Sequence, residues 1–150
     1  ASLDQCDTWR RWALAEIGLH SPDLIVTSTR LSPSSGGTPV EIEAIPRGVD
    51  EGLTMLGRNA RVVWIADTPM FETDPVRCAA QNPISVHVCS VPRAEAINAE
   101  IANSVQTVVE RHGGTWLDLN DYMCDDTCPI ILEDVLLYRD DDHLTSVFAR

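Results

Sequence analysis

The sequence contains no lysine. All 11 of its basic residues are arginine, and 23 acidic residues outnumber them to give a formal net charge of −12. A chain this acidic repels phosphate backbones and anionic membrane surfaces, so we expect no nucleic acid partner. No apolar run approaches the roughly 18 residues that a membrane span needs.

Nucleotide-binding motifs are also missing. No Gly-x-Gly-x-x-Gly and no phosphate loop follows a predicted strand, which argues against a dinucleotide. We expect no cofactor. With 150 residues and 44% hydrophobic content, the chain has the size of one ordinary domain with a single core. The domain is therefore expected to cover residues 1–150.

Five cysteines are many for a chain of this length, and their odd number leaves one unpaired. Cys78 with Cys89, and Cys124 with Cys128, each bracket a loop-like segment that contains Pro or Asp, which favours local disulfides in an oxidising compartment. Cys6 is then left over. Two alternatives stay open, namely zinc held by "CDDTC" and "HVC", whose spacing fits zinc only loosely, and free buried thiols. We expect the two disulfides and no metal site.

Helices and strands alternate along the sequence. A helix is predicted for residues 7–18, a later one ends at Gly57, and a long one runs from Pro92 to the "HGG" motif. The apolar runs predicted as strands are "LIV" at 24–26, "VVWI" in "RVVWIADTP", "TWLDL", and one or two in "PIILEDVLLY". This order predicts crossover connections between parallel strands, and hence a three-layer α/β/α sandwich with a mainly parallel sheet.

Polar segments follow the predicted strands. They are "TSTR", "ADTP", "LND" and "DDDH", in chain order. Because ligands of open α/β sheets bind at the carboxyl ends of the strands, these segments are where we expect a site. The four tryptophans are expected to pack in the core rather than to form a sugar-stacking platform. They are Trp9, Trp12, Trp64 and Trp116.

The chain ends with "YRDDDHLTSVFAR", in which Asp140 stands three residues before His143. This spacing can place both side chains on one turn, with the carboxylate holding the imidazole Nδ1 proton and Nε2 left as a general base. Asp141 and Asp142 are then expected to face solvent. The alternative from spacing alone is an acidic surface loop.

The last block resembles the end of SGNH hydrolase superfamily domains, in the version fused to bacterial membrane acyltransferase family three proteins. Its pattern there is Tyr-x-Asp-x-x-His-Leu-Thr/Ser before a helix of small residues. The matching residues here are Tyr138, Asp140, His143, Leu144, Thr145 and Ala149. The stretches "CDTWRRWALAEI", "PDLIVTS", "VVWIADTPMF" and "VCSVPRAEAIN" resemble other parts of the same domains.

The resemblance implies a flavodoxin-like α/β/α fold outside the cytoplasm, tethered through a membrane acyltransferase domain upstream in the same polypeptide. It also implies a serine that passes an acyl group, commonly acetyl, between a donor and cell-envelope carbohydrate, with His143 as base and Asp140 orienting it. The family's Gly-Asp-Ser block is missing from this sequence. We therefore expect this chain to lack the first strand, the nucleophile and the partner of Cys6, and to be inactive alone.

The oxyanion hole departs from the family as well, because "TSTR" has neither the Gly nor the Asn that the resemblance implies. A backbone N–H near Ser28 or Thr29 is the candidate donor, since the donor need not be a side chain. Arg30 is a candidate for steering an anionic group, and Asp67 for a role at the end of its strand. The alternative function is a non-catalytic binding or structural module on the same scaffold.

Overall fold

A computed structural model of the chain describes residues 3–31, 34–35, 38–39, 41–57 and 60–150. By their internal contacts, the residues form two compact units. The first unit consists of Ala1–Ile65 and Glu100–Leu117, and the second of Ala66–Ala99 and Asp118–Arg150. The expectation of a single domain stays a prediction.

The described elements alternate as the sequence predicts, with extra short strands. The helices are α1 (Leu3–His20), α2 (Ala44–Leu56), α3 (Pro75–Gln81), α4 (Arg93–Ala96) and α5 (Ala99–Arg111). The strands are β1 (Leu24–Thr27), β2 (Ser34–Ser35), β3 (Thr38–Pro39), β4 (Arg61–Ile65), β5 (Val91–Pro92), β6 (Thr115–Leu117), β7 (Thr127–Cys128), β8 (Ile131–Leu132) and β9 (Val135–Leu136). In the part of the chain that the structure describes, no helix is long and apolar enough to cross a membrane.

The first unit is built on a parallel sheet with strand order β1-β4-β6. Trp64 pairs with Trp116 across β4 and β6, and Trp64 is 7% exposed in a core cluster with α2 and α5. Because α5 directs Ile101 and Val105 into that cluster, both side chains are fully buried. The predicted α/β class with a parallel sheet is confirmed.

Two of the four tryptophan predictions are wrong. Trp9 is 65% exposed and Trp12 is 58% exposed on α1. The half-buried apolar stripe of this helix contains Ala13, Leu14 and Ile17, and the indoles lie on another face. The predicted helix is present, but its two tryptophan side chains do not lie on the face that packs.

The long helix predicted from Pro92 is interrupted. Ile97 has extended backbone angles, φ −123° and ψ 118°, and ends α4 before α5 begins. Its side chain packs against the core of the second unit, whereas Ile101 belongs to the core of the first. The apolar periodicity continues through the break because both sides of the break are packed, each in its own cluster.

The second unit is held by both predicted disulfides, Cys78–Cys89 and Cys124–Cys128. Cys6 is free and exposed. The disulfide prediction is therefore confirmed. The segment from Cys78 to Cys89, predicted as a loop, begins within α3, which starts where the Asp74 side chain accepts a hydrogen bond from the Arg77 N–H at 3.0 Å.

The segment before the acidic triplet is an antiparallel hairpin, and this corrects the prediction of a further parallel strand. β8 pairs with β9 through a tight turn at Glu133 and Asp134, which have positive φ values of 46° and 64°. A two-residue turn with both φ angles positive reverses the chain, as type I′ hairpins do. The strands therefore pair with each other, and the chain leaves β9 into the buried residues Leu137 and Tyr138.

Candidate active site

The acidic triplet lies on a turn that is closed by backbone pairing. Tyr138 and Leu144 form an antiparallel bridge, and the Arg139 N–H donates to the His143 carbonyl at 2.9 Å. The Tyr138 side chain is fully buried and packs edge-on against Phe71, with ring centroids 4.6 Å apart. The turn therefore rests on the core of the second unit.

Asp140 organises this turn through one oxygen. Its Oδ1 accepts the backbone N–H of His143 at 2.8 Å and that of Asp142 at 3.3 Å, and it also lies 2.8 Å from the His143 Nδ1. Burial alone would raise the pKa of Asp140, but hydrogen bonds from these donors outweigh it, so that the pKa is well below its usual value. The Arg139 Nε lies 3.4 Å from the other oxygen. This carboxylate is therefore ionised at neutral pH.

The imidazole of His143 has the geometry that the Asp-x-x-His spacing predicts. Since an ionised carboxylate only accepts hydrogen bonds, the Nδ1 facing Asp140 carries the proton in the neutral ring. The side chain is 61% exposed, and within the described residues no hydrogen-bond partner is found for Nε2. A neutral imidazole held in this way presents a lone pair to solvent or substrate, as a general base does. The catalytic role itself stays a prediction.

Asp142 does not face solvent, and this corrects the prediction. Its side chain is 10% exposed, and its Oδ1 lies 2.8 Å from the same Nδ1 of His143. Asp141 is exposed, as expected. The reason for the difference is that the backbone of the turn folds around the Asp140 carboxylate. This conformation places the Asp142 side chain beside the His143 ring.

The loop that follows β4 in the chain contacts this turn. The Thr68 hydroxyl donates to the Asp142 carbonyl at 2.7 Å, and the Phe71 N–H donates to the Asp141 carbonyl at 3.0 Å. Asp67 is half-buried, and its Oδ1 accepts the Thr68 N–H at 3.0 Å. Asp67 therefore shapes the loop that holds the turn, and a direct role in chemistry stays a prediction.

Asn120 was not singled out from the sequence. Its side chain is 2% exposed, and its Nδ2 donates to the Asp67 carbonyl at 3.0 Å. Its backbone N–H donates to the Asp118 carboxylate at 2.8 Å, and its Oδ1 is buried without a partner among the described residues. The loop after β6 is thus tied to the loop after β4. The available signal was an Asn directly after a predicted strand, in "LND".

The three candidates near the first strand lie in the first unit. Ser28 and Arg30 are exposed and Thr29 is half-buried, on the loop that follows β1. Their proposed roles, as oxyanion donors or in steering an anionic group, stay predictions.

Asp140, Asp142 and His143 each have a ligand atom within 4.8 Å of the others, a spacing that would suit a cation. Asp140 Oδ1, however, already faces two backbone N–H groups and the ring nitrogen. These donors compete with a cation for the lone pairs of that oxygen. We assign no metal to this cluster.

Fold and sequence together place the protein in the SGNH class of α/β proteins. Residues 1–150 match the family described as "SGNH domain (fused to AT3 domains)", and the chain belongs to this family. Among solved structures, it is similar to the periplasmic domain of a lipopolysaccharide acetyltransferase from Salmonella ser. Paratyphi A, with a TM-score of 0.66 and 15% identity. The match covers 91% of this chain and 56% of that one, so the chain spans just over half the length of its structural neighbour. No curated protein sequence matches.

Proposed function

We propose that this chain is part of a serine-dependent O-acyltransferase or esterase domain, in which His143 is the general base and Asp140 orients it. The observation that supports the proposal is the 2.8 Å contact between the His143 Nδ1 and the Asp140 Oδ1, with most of the ring exposed. Membership of a family of SGNH domains fused to AT3 domains supports the same reaction class.

In the proposed reaction, the Nε2 of His143 takes the proton of a serine hydroxyl as the serine oxygen attacks the acyl carbon. The donor leaves with that proton, and the acyl group stays on the serine as an ester. An acceptor hydroxyl then attacks the ester while His143 takes its proton and returns it to the serine. Water in place of a sugar hydroxyl gives hydrolysis, so one mechanism covers both activities.

The serine is proposed to lie in the same polypeptide outside residues 1–150, because no Gly-Asp-Ser occurs in this sequence. The acceptor is proposed to be cell-envelope carbohydrate and the acyl group acetyl, in line with the lipopolysaccharide acetyltransferase to which the chain is structurally similar. A location outside the cytoplasm, with tethering through a membrane acyltransferase domain, is proposed from the family and from the two disulfides.

The test uses the polypeptide of full gene length that carries this chain. We expect a serine-directed fluorophosphonate to label it and an aryl acetate to be turned over. His143→Ala should lower turnover by roughly 10²- to 10⁴-fold, the usual contribution of a general base. His87→Ala is the matched control, because His87 is an exposed histidine of the same unit. Full turnover by His143→Ala would refute the assignment of the base.

The second candidate is a non-catalytic binding or structural module, favoured by the missing Gly-Asp-Ser block and by the absence of Asn from "TSTR". The gene sequence upstream of the codon for Ala1 discriminates the two candidates at little cost. A Gly-Asp-Ser block within about one strand-helix unit, some 30 residues, favours the enzyme. If the polypeptide lacks the block and is not labelled by the fluorophosphonate, the module is the better account.

A further inference from the structure

We propose that Asp142 is a second positioning residue for His143, and that it stabilises the protonated ring by its charge while Asp140 takes the Nδ1 hydrogen bond. The effect on catalysis rests on the proposed function. The position of Asp142 is independent of it, since one oxygen of Asp140 and one oxygen of Asp142 each lie 2.8 Å from the His143 Nδ1.

The two carboxylates are not equivalent. One N–H can point at only one acceptor with good geometry, and Asp140 forms that hydrogen bond. Asp142 is the more buried of the two, with its side chain 10% exposed against 36% for Asp140. Because charges shielded from water interact more strongly than exposed ones, the Asp142 carboxylate acts on the ring with little screening.

The backbone of Asp142 is hydrogen-bonded on both sides of its Cα atom. Its carbonyl accepts the Thr68 hydroxyl at 2.7 Å, and its N–H donates to the Asp140 Oδ1 at 3.3 Å. These bonds fix the Cα of Asp142, so that only rotation about its own side-chain bonds can change the distance from its carboxylate to the ring. The same loop therefore fixes the backbone of Asp142 and the turn that bears the base.

Two carboxylates and one guanidinium are the charged groups nearest the ring. Asp140 and Asp142 are the carboxylates against Nδ1, and Arg139 is the opposing cation, 3.4 Å from Asp140. The loop that contains Thr68 has three further carboxylates, Asp67, Glu72 and Asp74. When the ring gains a proton, a positive charge lies between two negative ones, and their mutual repulsion is relieved.

This arrangement predicts an effect on the chemical step. During acyl transfer the ring becomes positively charged only as it takes the hydroxyl proton, so a charge that stabilises the cation lowers the barrier without binding substrate. Loss of the Asp142 charge should therefore lower kcat and leave KM nearly unchanged.

The direct test follows the His143 ring by NMR, without substrate, in the same polypeptide of full gene length. His143→Gln identifies the resonance of this ring by its loss. We expect Asp142→Asn to lower the midpoint of the His143 titration by about one pH unit, the low end of the effect of a neighbouring charge, because the ring is more than half exposed. Asp141→Asn removes the same charge from an exposed neighbour and should move the midpoint much less.

Asp142→Ala is the second variant, and it should move the midpoint in the same direction. Retention of the cross-strand NOE between Tyr138 and Leu144 shows that the turn is intact in each variant. If Asp142→Asn and Asp142→Ala move the midpoint no more than Asp141→Asn does, the inference is overturned. If the midpoint falls as expected but His143→Ala keeps full turnover, the assignment of Asp142 stands and the proposed function is refuted.

Discussion

The hydroxyl of Thr68 donates to the backbone carbonyl of Asp142 at 2.7 Å, although 74 positions separate the two residues in the sequence. The Phe71 N–H makes a similar bond to the Asp141 carbonyl at 3.0 Å. Both acceptors are main-chain atoms of the acidic triplet. The loop after β4 therefore binds the backbone of this turn and not its carboxylate side chains.

Thr68→Val should destabilise the second unit, because valine has nearly the shape of threonine but leaves the Asp142 carbonyl without its donor. We expect the free energy of unfolding to fall by about 1–2 kcal/mol. Urea denaturation measures the change. Thr107→Val, at an exposed helix position, is the control and should change stability by no more than about 0.5 kcal/mol. Equal losses in the two variants would contradict a special role for the Thr68 hydroxyl.

The lowered pKa of Asp140 predicts that part of the stability is lost in acid. A carboxyl whose pKa is lower in the folded than in the unfolded chain contributes fully above its unfolded value, about 3.9, and loses that contribution as pH falls through the folded value. Asp140→Asn should therefore be less stable than wild type at neutral pH, and the difference should narrow below about pH 4. Urea midpoints from pH 7 downward measure it, and a difference that does not vary with pH would contradict the prediction.

Removal of the Tyr138 hydroxyl should not harm the fold. This oxygen is buried, no partner is found for it in the described part of the chain, and burial raises the pKa of the Tyr138 phenol. Tyr138→Phe removes an unsatisfied polar atom and keeps the ring against Phe71. We expect the free energy of unfolding to rise by roughly 1 kcal/mol.

Tyr138→Leu is the matched variant, since it also removes the aromatic contact, worth about 0.5–1.5 kcal/mol beyond its buried area. It should be clearly less stable than Tyr138→Phe in the same thermal or urea denaturation. A large loss of stability in Tyr138→Phe would show that the hydroxyl has a partner.

The two disulfides should differ in their effect on stability because they close loops of different length. Their cysteines are separated by 11 and 4 positions. In the chain-entropy account, replacing Cys78 and Cys89 by Ala should cost about 3 kcal/mol, and replacing Cys124 and Cys128 about 2 kcal/mol. Denaturation with and without reductant measures both effects. Cys6→Ala is the control, because Cys6 is free and exposed, and it should leave stability unchanged.

Much of the fold could be predicted from local patterns. Short apolar runs bounded by polar loops predicted β1, β4 and β6, and Gly57 ends α2 with a positive φ of 71°, a conformation that glycine adopts at low cost. The break at Ile97 was missed because the apolar period continues across it. The exposure of Trp9 and Trp12 was missed because spacing identifies a helix but does not identify which of its faces is packed.

The candidate site was predictable only where its contacts are local. Asp140 and His143 are three residues apart, so their spacing carries the prediction. The buried position of Asp142 and the link from Asn120 to the Asp67 carbonyl depend on loops more than 50 positions distant, for which local spacing gives no signal. Such contacts follow from packing, which a single sequence does not display.

A single oxygen of Asp140 anchors the loop and orients the imidazole at the same time. The imidazole is consequently oriented as soon as the polypeptide folds, and in the proposed reaction a substrate would spend none of its binding energy on ordering it. If Asp140 has the proposed role, its substitution should lower both the turnover rate and the rigidity of the turn.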